Sequence, residues 1–235
     1  MGCGQSEPQD EEAFFKKGKK GSPSVPKCLD DSLLNKEEYQ KLHLATSMHK
    51  SPNDFTVTTP DGNELFKILS HPGRKRIVSK DGNTTICVLV ESVRDSEVAG
   101  VDASYNSPHL YVYAPQPYRE GQTASEYAQG EQPLYHWARI DKRSKVGPKL
   151  FRVNMAENKA AGGANIELYG MEALTLTIQK DGTMLFKTQA GQSACFVSLA
   201  EGKQDTYCLS VAPAVDPVLV TCLVMCAEAI LANPG

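Results

Sequence analysis

The chain has 235 residues, 40% of them hydrophobic, and a formal net charge of −3. That is enough apolar content for one large core, and too acidic a balance for a dedicated nucleic-acid binder, whose affinity rests on neutralising phosphates. Seven cysteines, at 3, 28, 87, 195, 208, 222 and 226, form no CxxC pair and follow no signal peptide; reduced thiols in a cytosolic compartment are expected, with no zinc site and no cofactor.

The first segment, 1–28, is rich in Gly, Ser, Pro and charge and is expected to be a disordered tail. It opens MGCGQS, which fits the N-myristoylation pattern M-G-x-x-x-[ST] with Gly2 as acceptor and Ser6 at its last position. Cys3 beside it is a candidate for S-acylation. Lys16, Lys17, Lys19 and Lys20 follow, next to Phe14 and Phe15. A single myristoyl chain binds membranes marginally, so a stable anchor needs a second chain or a polybasic patch. Each lysine near an anionic leaflet adds about 1 kcal/mol, and the Phe pair is placed to dip into the interface. Glu7, Asp10, Glu11 and Glu12 weaken this attraction. A lysine run alone is usually a solvated tail; it is the adjacency of Gly2, Cys3 and the lysines that favours an anchor.

Residues 29–51 read as a connector with a short amphipathic helix, Ser32 as N-cap and Leu33, Leu34, Tyr39 and Leu42 on its apolar side. From 52 to 235 the pattern becomes period-two segments broken by turns. The strand segments are 55–59, 64–69, 75–80, 84–92, 109–115, 134–141, 149–155, 166–170, 173–180, 183–189, 194–199 and 206–211. Asp61-Gly62, Asp81-Gly82 and Asp181-Gly182 supply the positive φ of tight hairpins. DGNELFK at 61–67 and DGTMLFK at 181–187 agree at five of seven places, as a duplicated hairpin would. Loops at 94–108, 116–133 and 156–165 look long, and Gly162-Gly163 reads as a flexible loop.

The chain closes on VAPAVDPVLVTCLVMCAEAILAN, apolar on every helical face from Val218 to Ala232 apart from Glu228. Pro217 suits the first helical turn and Asp216 the N-cap. Such a helix must be buried. Its fifteen residues span about 22 Å, short of the ~30 Å of a bilayer core. Antiparallel strands in this number curl and close to remove their edges, and a barrel of about twelve is too wide for its own side chains to fill. The helix is the expected plug, with Leu219, Leu223 and Ile230 in the interior and Cys222 and Cys226 as packing residues.

These residues resemble the tubby-like C-terminal fold shared by tubby proteins, phospholipid scramblases and LURP-one-related proteins. The resemblance covers about residues 52–234 and rests on the closing helix and on DFTVTTPDGNELFKI followed by RKRIVSKDGNTTICVLV, which looks most like the LURP-one-related and scramblase branch. It implies a mainly β fold: a closed antiparallel barrel of about twelve strands around a hydrophobic C-terminal helix, here preceded by a lipidated tail. It also implies a membrane-associated, non-enzymatic domain. Tubby domains bind phosphatidylinositol bisphosphate through basic residues on the barrel exterior; scramblases are credited with calcium-dependent lipid movement. The chain lacks the scramblases' proline-rich N-terminal region, cysteine-rich run and acidic calcium segment. Asp205 and Asp216 are too isolated to supply the oxygens calcium needs.

Two basic clusters are head-group candidates: Arg74, Lys75 and Arg76, and the denser group Arg139, Lys142, Arg143, Lys145 and Lys149. Converging lysines and arginines suit multivalent phosphate, although solvated loop charge is the commoner reason for such clusters. Trp137 reads equally as an interfacial rim residue or as core. The five histidines are scattered and no GxSxG nucleophile signature is present. The expectation is a monomeric, lipid-anchored peripheral protein on the cytoplasmic face of a membrane, the plasma membrane first, with a cytosolic pool. Its barrel would recognise phosphoinositide or another anionic lipid as an adaptor or signalling module, with room for unidentified protein partners and none for nucleic acid. A scramblase-like lipid mover is the alternative; an enzyme or carrier with an open cavity is disfavoured by the plug.

Overall fold

A computed structural model describes residues 10–17, 28–92, 109–125, 132–142, 150–161 and 164–232. Among the described residues twelve strands precede the terminal helix: β1 Gln40–Ala45, β2 Phe55–Thr58, β3 Glu64–His71, β4 Arg74–Ser79, β5 Thr85–Ser92, β6 His109–Ala114, β7 Tyr135–Lys142, β8 Leu150–Ala161, β9 Ala164–Ile178, β10 Met184–Thr188, β11 Ser193–Leu199 and β12 Thr206–Val211. The helices are α1, Glu11–Lys17, and α2, Pro217–Ala232. Each strand runs antiparallel to its neighbours, and the order β1-β12-β11-β10-β9-β8-β7-β6-β5-β4-β3-β2 leads back to its start. The seam between β1 and β2 is thin: His43 opposite Thr58 is its one register pair, where β1 and β12 share a ladder from Gln40↔Val211 to Ala45↔Thr206. A continuous hydrogen-bonded ladder therefore does not close the sheet. Leu44 of β1 and Val57 of β2 instead share the common core on the inner side of the seam.

That core is built by alternation. Leu42, Leu44, Phe66, Ile68, Cys87, Leu89, Leu110, Val112, Phe186, Val197, Leu209 and Val211 turn inward from their strands and form one cluster with α2. Every residue from Val218 to Ala229 is buried. Contacts reach the helix from separate sides: Cys222 Sγ lies 3.9 Å from Cys87 Sγ on β5, and Cys226 Sγ points at the Ile140 carbonyl of β7. Leu219 and Leu223 are interior as expected; the side chain of Ile230 lies outside the described residues. No helix among the described residues is long and apolar enough to cross a membrane.

The cap of α2 is also as its sequence indicates, and does more. Asp216 Oδ1 accepts from the Val218 and Leu219 amides at 2.8 and 3.1 Å, while Oδ2 accepts from the Leu29 amide at 2.6 Å. One buried carboxylate thus starts the helix and holds the segment that leads into β1. Burial pushes its pKa up, against the pull of these hydrogen bonds.

Three segments depart from expectation. The connector helix is a single 3-10 turn, Asp31–Leu33, capped by Asp30 rather than Ser32. Residues 40–45 are strand β1, because Leu42 and Leu44 alternate with the outward His43 and so suit a pleat rather than a helix. Segments 166–170 and 173–180 are one strand, β9. It pairs with β8 through a register shift around Asn154 and continues to Ala161↔Ala164, so 156–161 and 164–165 are hairpin rather than loop. A missed strand and a split strand offset each other in the count. Gly162-Gly163, the tip, lies outside the described residues.

The tail departs as well. Asp10 caps α1 by accepting from the Ala13 amide at 2.6 Å. Glu11 and Glu12 fill the first turn and Lys16 and Lys17 the last, which complements the helix dipole. Seven residues do not hold a helix alone; α1 is held by docking. Phe14 is 1% exposed against Leu185 and Phe196, its carbonyl accepts from Ser193 Oγ, and Phe15 packs edge-on to Tyr39. Residues 10–17 are therefore ordered on the barrel, and Phe14 is spent on protein rather than on a membrane interface.

The echoed hairpins share one turn. In β2–β3 the Gly62 amide bonds the Thr59 carbonyl and the Thr59 amide the Asn63 carbonyl; in β9–β10 Gly182, Gln179 and Thr183 repeat both bonds. Gly62 and Gly182 sit at φ 84° and 89°, the left-handed position such a turn requires.

Candidate functional site at the barrel mouth

The open end of the barrel beside the C-terminal half of α2 holds a cavity of about 420 Å³. Two connections build its rim. The β3–β4 hairpin turns at Pro72-Gly73, with Gly73 at φ 70°, and pairs His71 with Arg74. The β1–β2 loop is pinned from below, where the Ser47 amide donates to Glu228 Oε1 at 2.9 Å, and it is folded over the buried side chain of Met48. Lys75 ties the two together. Alternation turns it inward, and its Nζ donates to the Ser51 carbonyl at 2.6 Å and to Ser70 Oγ at 2.8 Å. Asp54 accepts from the Ser70 amide at 2.7 Å. Burial lowers the Lys75 pKa, with Asp54 opposing the shift.

The floor is apolar: Leu89 of β5, Leu110 of β6, and Met225 and Ala229 of α2. Around it stand His49, Lys50, His71, Arg74 and Lys75, of which Lys50, His71 and Arg74 are exposed. Behind the rim, Glu228 Oε2 lies 3.5 Å from His49 Nδ1, both nearly buried. Burial, and then the Glu228 charge, push the Tyr207 phenol up. Glu228, the one charge on the apolar helix, thus accepts the Ser47 amide and lies beside an imidazole and a phenol. The site is a greasy hollow with a cationic edge. No group of His, Cys, Asp and Glu among the described residues is arranged to hold a metal ion.

The structure divides the basic residues singled out from the sequence. Arg74 and Lys75 meet at the mouth. Arg76, next along β4, faces the barrel exterior, where its Nε donates to Thr85 Oγ1 at 2.8 Å. Arg139 is no exterior head-group ligand: it is 5% exposed, on β7 opposite Tyr111. The outer face there carries a second apolar cluster of Val88, Tyr111, Tyr113 and Leu134, with His136 against both tyrosine rings, and Arg139 is buried along with it. Lys142 ends β7, its side chain outside the described residues, as are Arg143, Lys145 and Lys149 entirely. Gly2, Cys3, Lys19 and Lys20 lie outside them too; Lys16 and Lys17 are on α1, where Lys16 pairs with Glu12. Trp137 is core, its indole donating to the Gln116 carbonyl at 2.7 Å.

His49, Lys50 and His71 were not legible as site residues, since the chain separates the His49-Lys50 pair from His71 by some twenty positions. Glu228 carried a signal: a charge on a wholly buried helix has to find partners, and those partners mark the mouth.

A barrel threaded by its own hydrophobic C-terminal helix is the architecture of the tubby-like superfamily. The family model described as LURP-one-related matches residues 41–228, and the chain belongs to that family, within the tubby-like superfamily. An X-ray structure of an Arabidopsis thaliana protein is similar in fold, with a TM-score of 0.53 at 12% identity, covering 88% of this chain and 99% of that one. No curated protein matches the chain. The family match begins at Lys41, inside β1, in agreement with β1 being part of the barrel rather than of a connector.

Proposed function

We propose that this protein is a lipid-anchored peripheral membrane protein whose barrel binds anionic lipid, as an adaptor or signalling module and not as an enzyme. The family points to a lipid-binding fold. The observation that carries the reading for this chain is the barrel mouth, where exposed Lys50, His71 and Arg74 stand around an apolar cavity. Cations over an apolar floor match the two halves of an anionic lipid, head group at the edge and hydrocarbon below. Phosphoinositide is the anionic lipid that best suits several converging cations. The tail supplies attachment: Gly2 and Cys3 as acylation sites and the lysines from Lys16 to Lys20 as the electrostatic supplement. Myristate and palmitate are the acyl groups, and the site of action is the cytoplasmic face of the plasma membrane.

Vesicle flotation of the purified full chain tests the barrel, and fractionation of cells tests the tail. Vesicles containing phosphatidylinositol bisphosphate should float the unacylated protein and neutral vesicles should not. Lys50→Gln with Arg74→Gln removes about 2 kcal/mol of attraction, a loss of roughly thirtyfold in binding. Gly2→Ala should move the cellular protein to the soluble fraction. Equal flotation with neutral and anionic vesicles, or by the double variant, would refute lipid recognition by the mouth; unchanged fractionation of Gly2→Ala would refute the anchor.

A further inference from the structure

The cavity has a floor as well as an edge, and its size restricts what can enter. At about 420 Å³ it lies near the lower end of the range for small-ligand pockets, room for one hydrocarbon chain and not two. We infer that the mouth takes up a single-chain lipid phosphomonoester of the lysophosphatidate type, with its chain on Leu89, Leu110, Met225 and Ala229 and its phosphate at Lys50 and Arg74. This rests on the anionic-lipid reading of the same site and goes further: the ligand leaves the bilayer plane and is held as a single molecule.

The chemistry of the lining favours this class over its neighbours. A water-soluble phosphate would leave the four-residue apolar floor wet and gain nothing from it. A neutral lipid would leave the cationic edge without a counter-charge. A phosphomonoester dianion offers three oxygens to donors that approach from two directions, Lys50 from the β1–β2 loop and Arg74 from the β3–β4 hairpin, and Arg74 can engage two of them at once. The acids at the mouth do not block an anion. Asp54 already accepts the Ser70 amide and sits beside Lys75, and Glu228 accepts the Ser47 amide and faces His49. Lys75 is held by Ser51 and Ser70 and shapes the entrance; Lys50 and Arg74, both exposed at the edge of the cavity, meet the ligand.

The test uses the purified full chain and 1-oleoyl-lysophosphatidate below its micelle concentration, followed by calorimetry and by the thermal midpoint. Saturable one-to-one binding and a raised midpoint are expected, with glycerol 3-phosphate failing to bind and oleate binding at least tenfold more weakly. Ala229→Leu fills the floor and should weaken lysophosphatidate at least tenfold while flotation on phosphatidylinositol bisphosphate vesicles is unchanged. Lys50→Gln with Arg74→Gln should weaken both. A lysophosphatidate carrying a diazirine at the chain end should label the peptide containing Met225 and Ala229, a readout that holds even if Ala229→Leu fails to fold. No binding, equal binding of glycerol 3-phosphate, or labelling only elsewhere would overturn the inference. Flotation that still depends on Lys50 and Arg74 would then leave the anionic-lipid reading standing, whereas loss of flotation with lysophosphatidate binding intact would overturn that reading alone.

Discussion

Asp216 is the position at which the largest effect is expected from a single small change. Its carboxylate serves three buried amides, those of Val218, Leu219 and Leu29. In Asp216→Ala the N-cap is lost, at about 1 kcal/mol, and Leu29, 3% exposed, keeps a buried amide without its acceptor, at about 1–3 kcal/mol more. The total of roughly 2–4 kcal/mol is a large part of the ~5–15 kcal/mol that a domain possesses. At about 2–4 °C per kcal/mol for a chain of this size, the melting midpoint should fall by roughly 5–15 °C. Asp216→Asn separates the two roles. Asparagine caps as well as aspartate, but its amide nitrogen would face the Leu29 amide, donor to donor, so an intermediate midpoint is expected. The pH dependence should change in a specific sense. Burial raises the carboxyl pKa in the folded state, so the native protein holds this proton more tightly than the unfolded chain. The wild type therefore loses stability as pH rises from the ordinary carboxylate value through the raised one, and Asp216→Asn lacks that loss. Thermal and urea unfolding followed by far-UV circular dichroism measure all three proteins. An Asp216→Ala midpoint within about 1 °C of wild type would refute this account of how α2 is fixed.

Two further outcomes follow from buried groups away from α2. Phe14→Ala removes the anchor of α1 from between Leu185 and Phe196; full burial of such a ring is worth about 3–5 kcal/mol, more than a seven-residue helix can replace. The helix should undock while the barrel keeps its melting midpoint, and trypsin should then cut at Lys16 and Lys17 at least tenfold faster; an unchanged cleavage rate would mean that α1 is not held by Phe14. His136 is buried against Tyr111 and Tyr113, and desolvation above all, with the Arg139 charge, lowers its pKa to about 4 against the pull of Ala138. The unfolded chain takes up this proton near 6.5 and the folded one near 4, so about 3 kcal/mol of stability present at neutral pH is lost as pH falls between those values. His136→Phe should flatten the urea-unfolding free energy across that window, and an unaltered acid limb in the variant would show that His136 is not its source.

Much of the architecture is local in origin. The apolar run from Val218 to Ala232 has to be enclosed, Asp216-Pro217 starts it, and Asp-Gly pairs with positive φ at Gly62, Gly82 and Gly182 turn the hairpins. These are short-range constraints of backbone and hydration, and so they can be read residue by residue. Periodicity was also present at 40–45, where Leu42 and Leu44 alternate, although charge and Leu33, Leu34 and Tyr39 just before it imitate a helix; pairing with β12 settled the matter. The mouth belongs to the other kind. Lys75 looks like its neighbours Arg74 and Arg76 in sequence, yet strand alternation sends it inward to Ser51 and Ser70 and Arg76 outward to Thr85. Arg139 sits in a dense basic stretch and is nevertheless buried beside a second apolar cluster on the outer face. Phe14 looks like a membrane residue and is occupied by Phe196. Whether a charge meets solvent, a partner or a ligand depends on which strands and loops arrive beside it from elsewhere in the chain, and the spacing along the backbone carries no record of that.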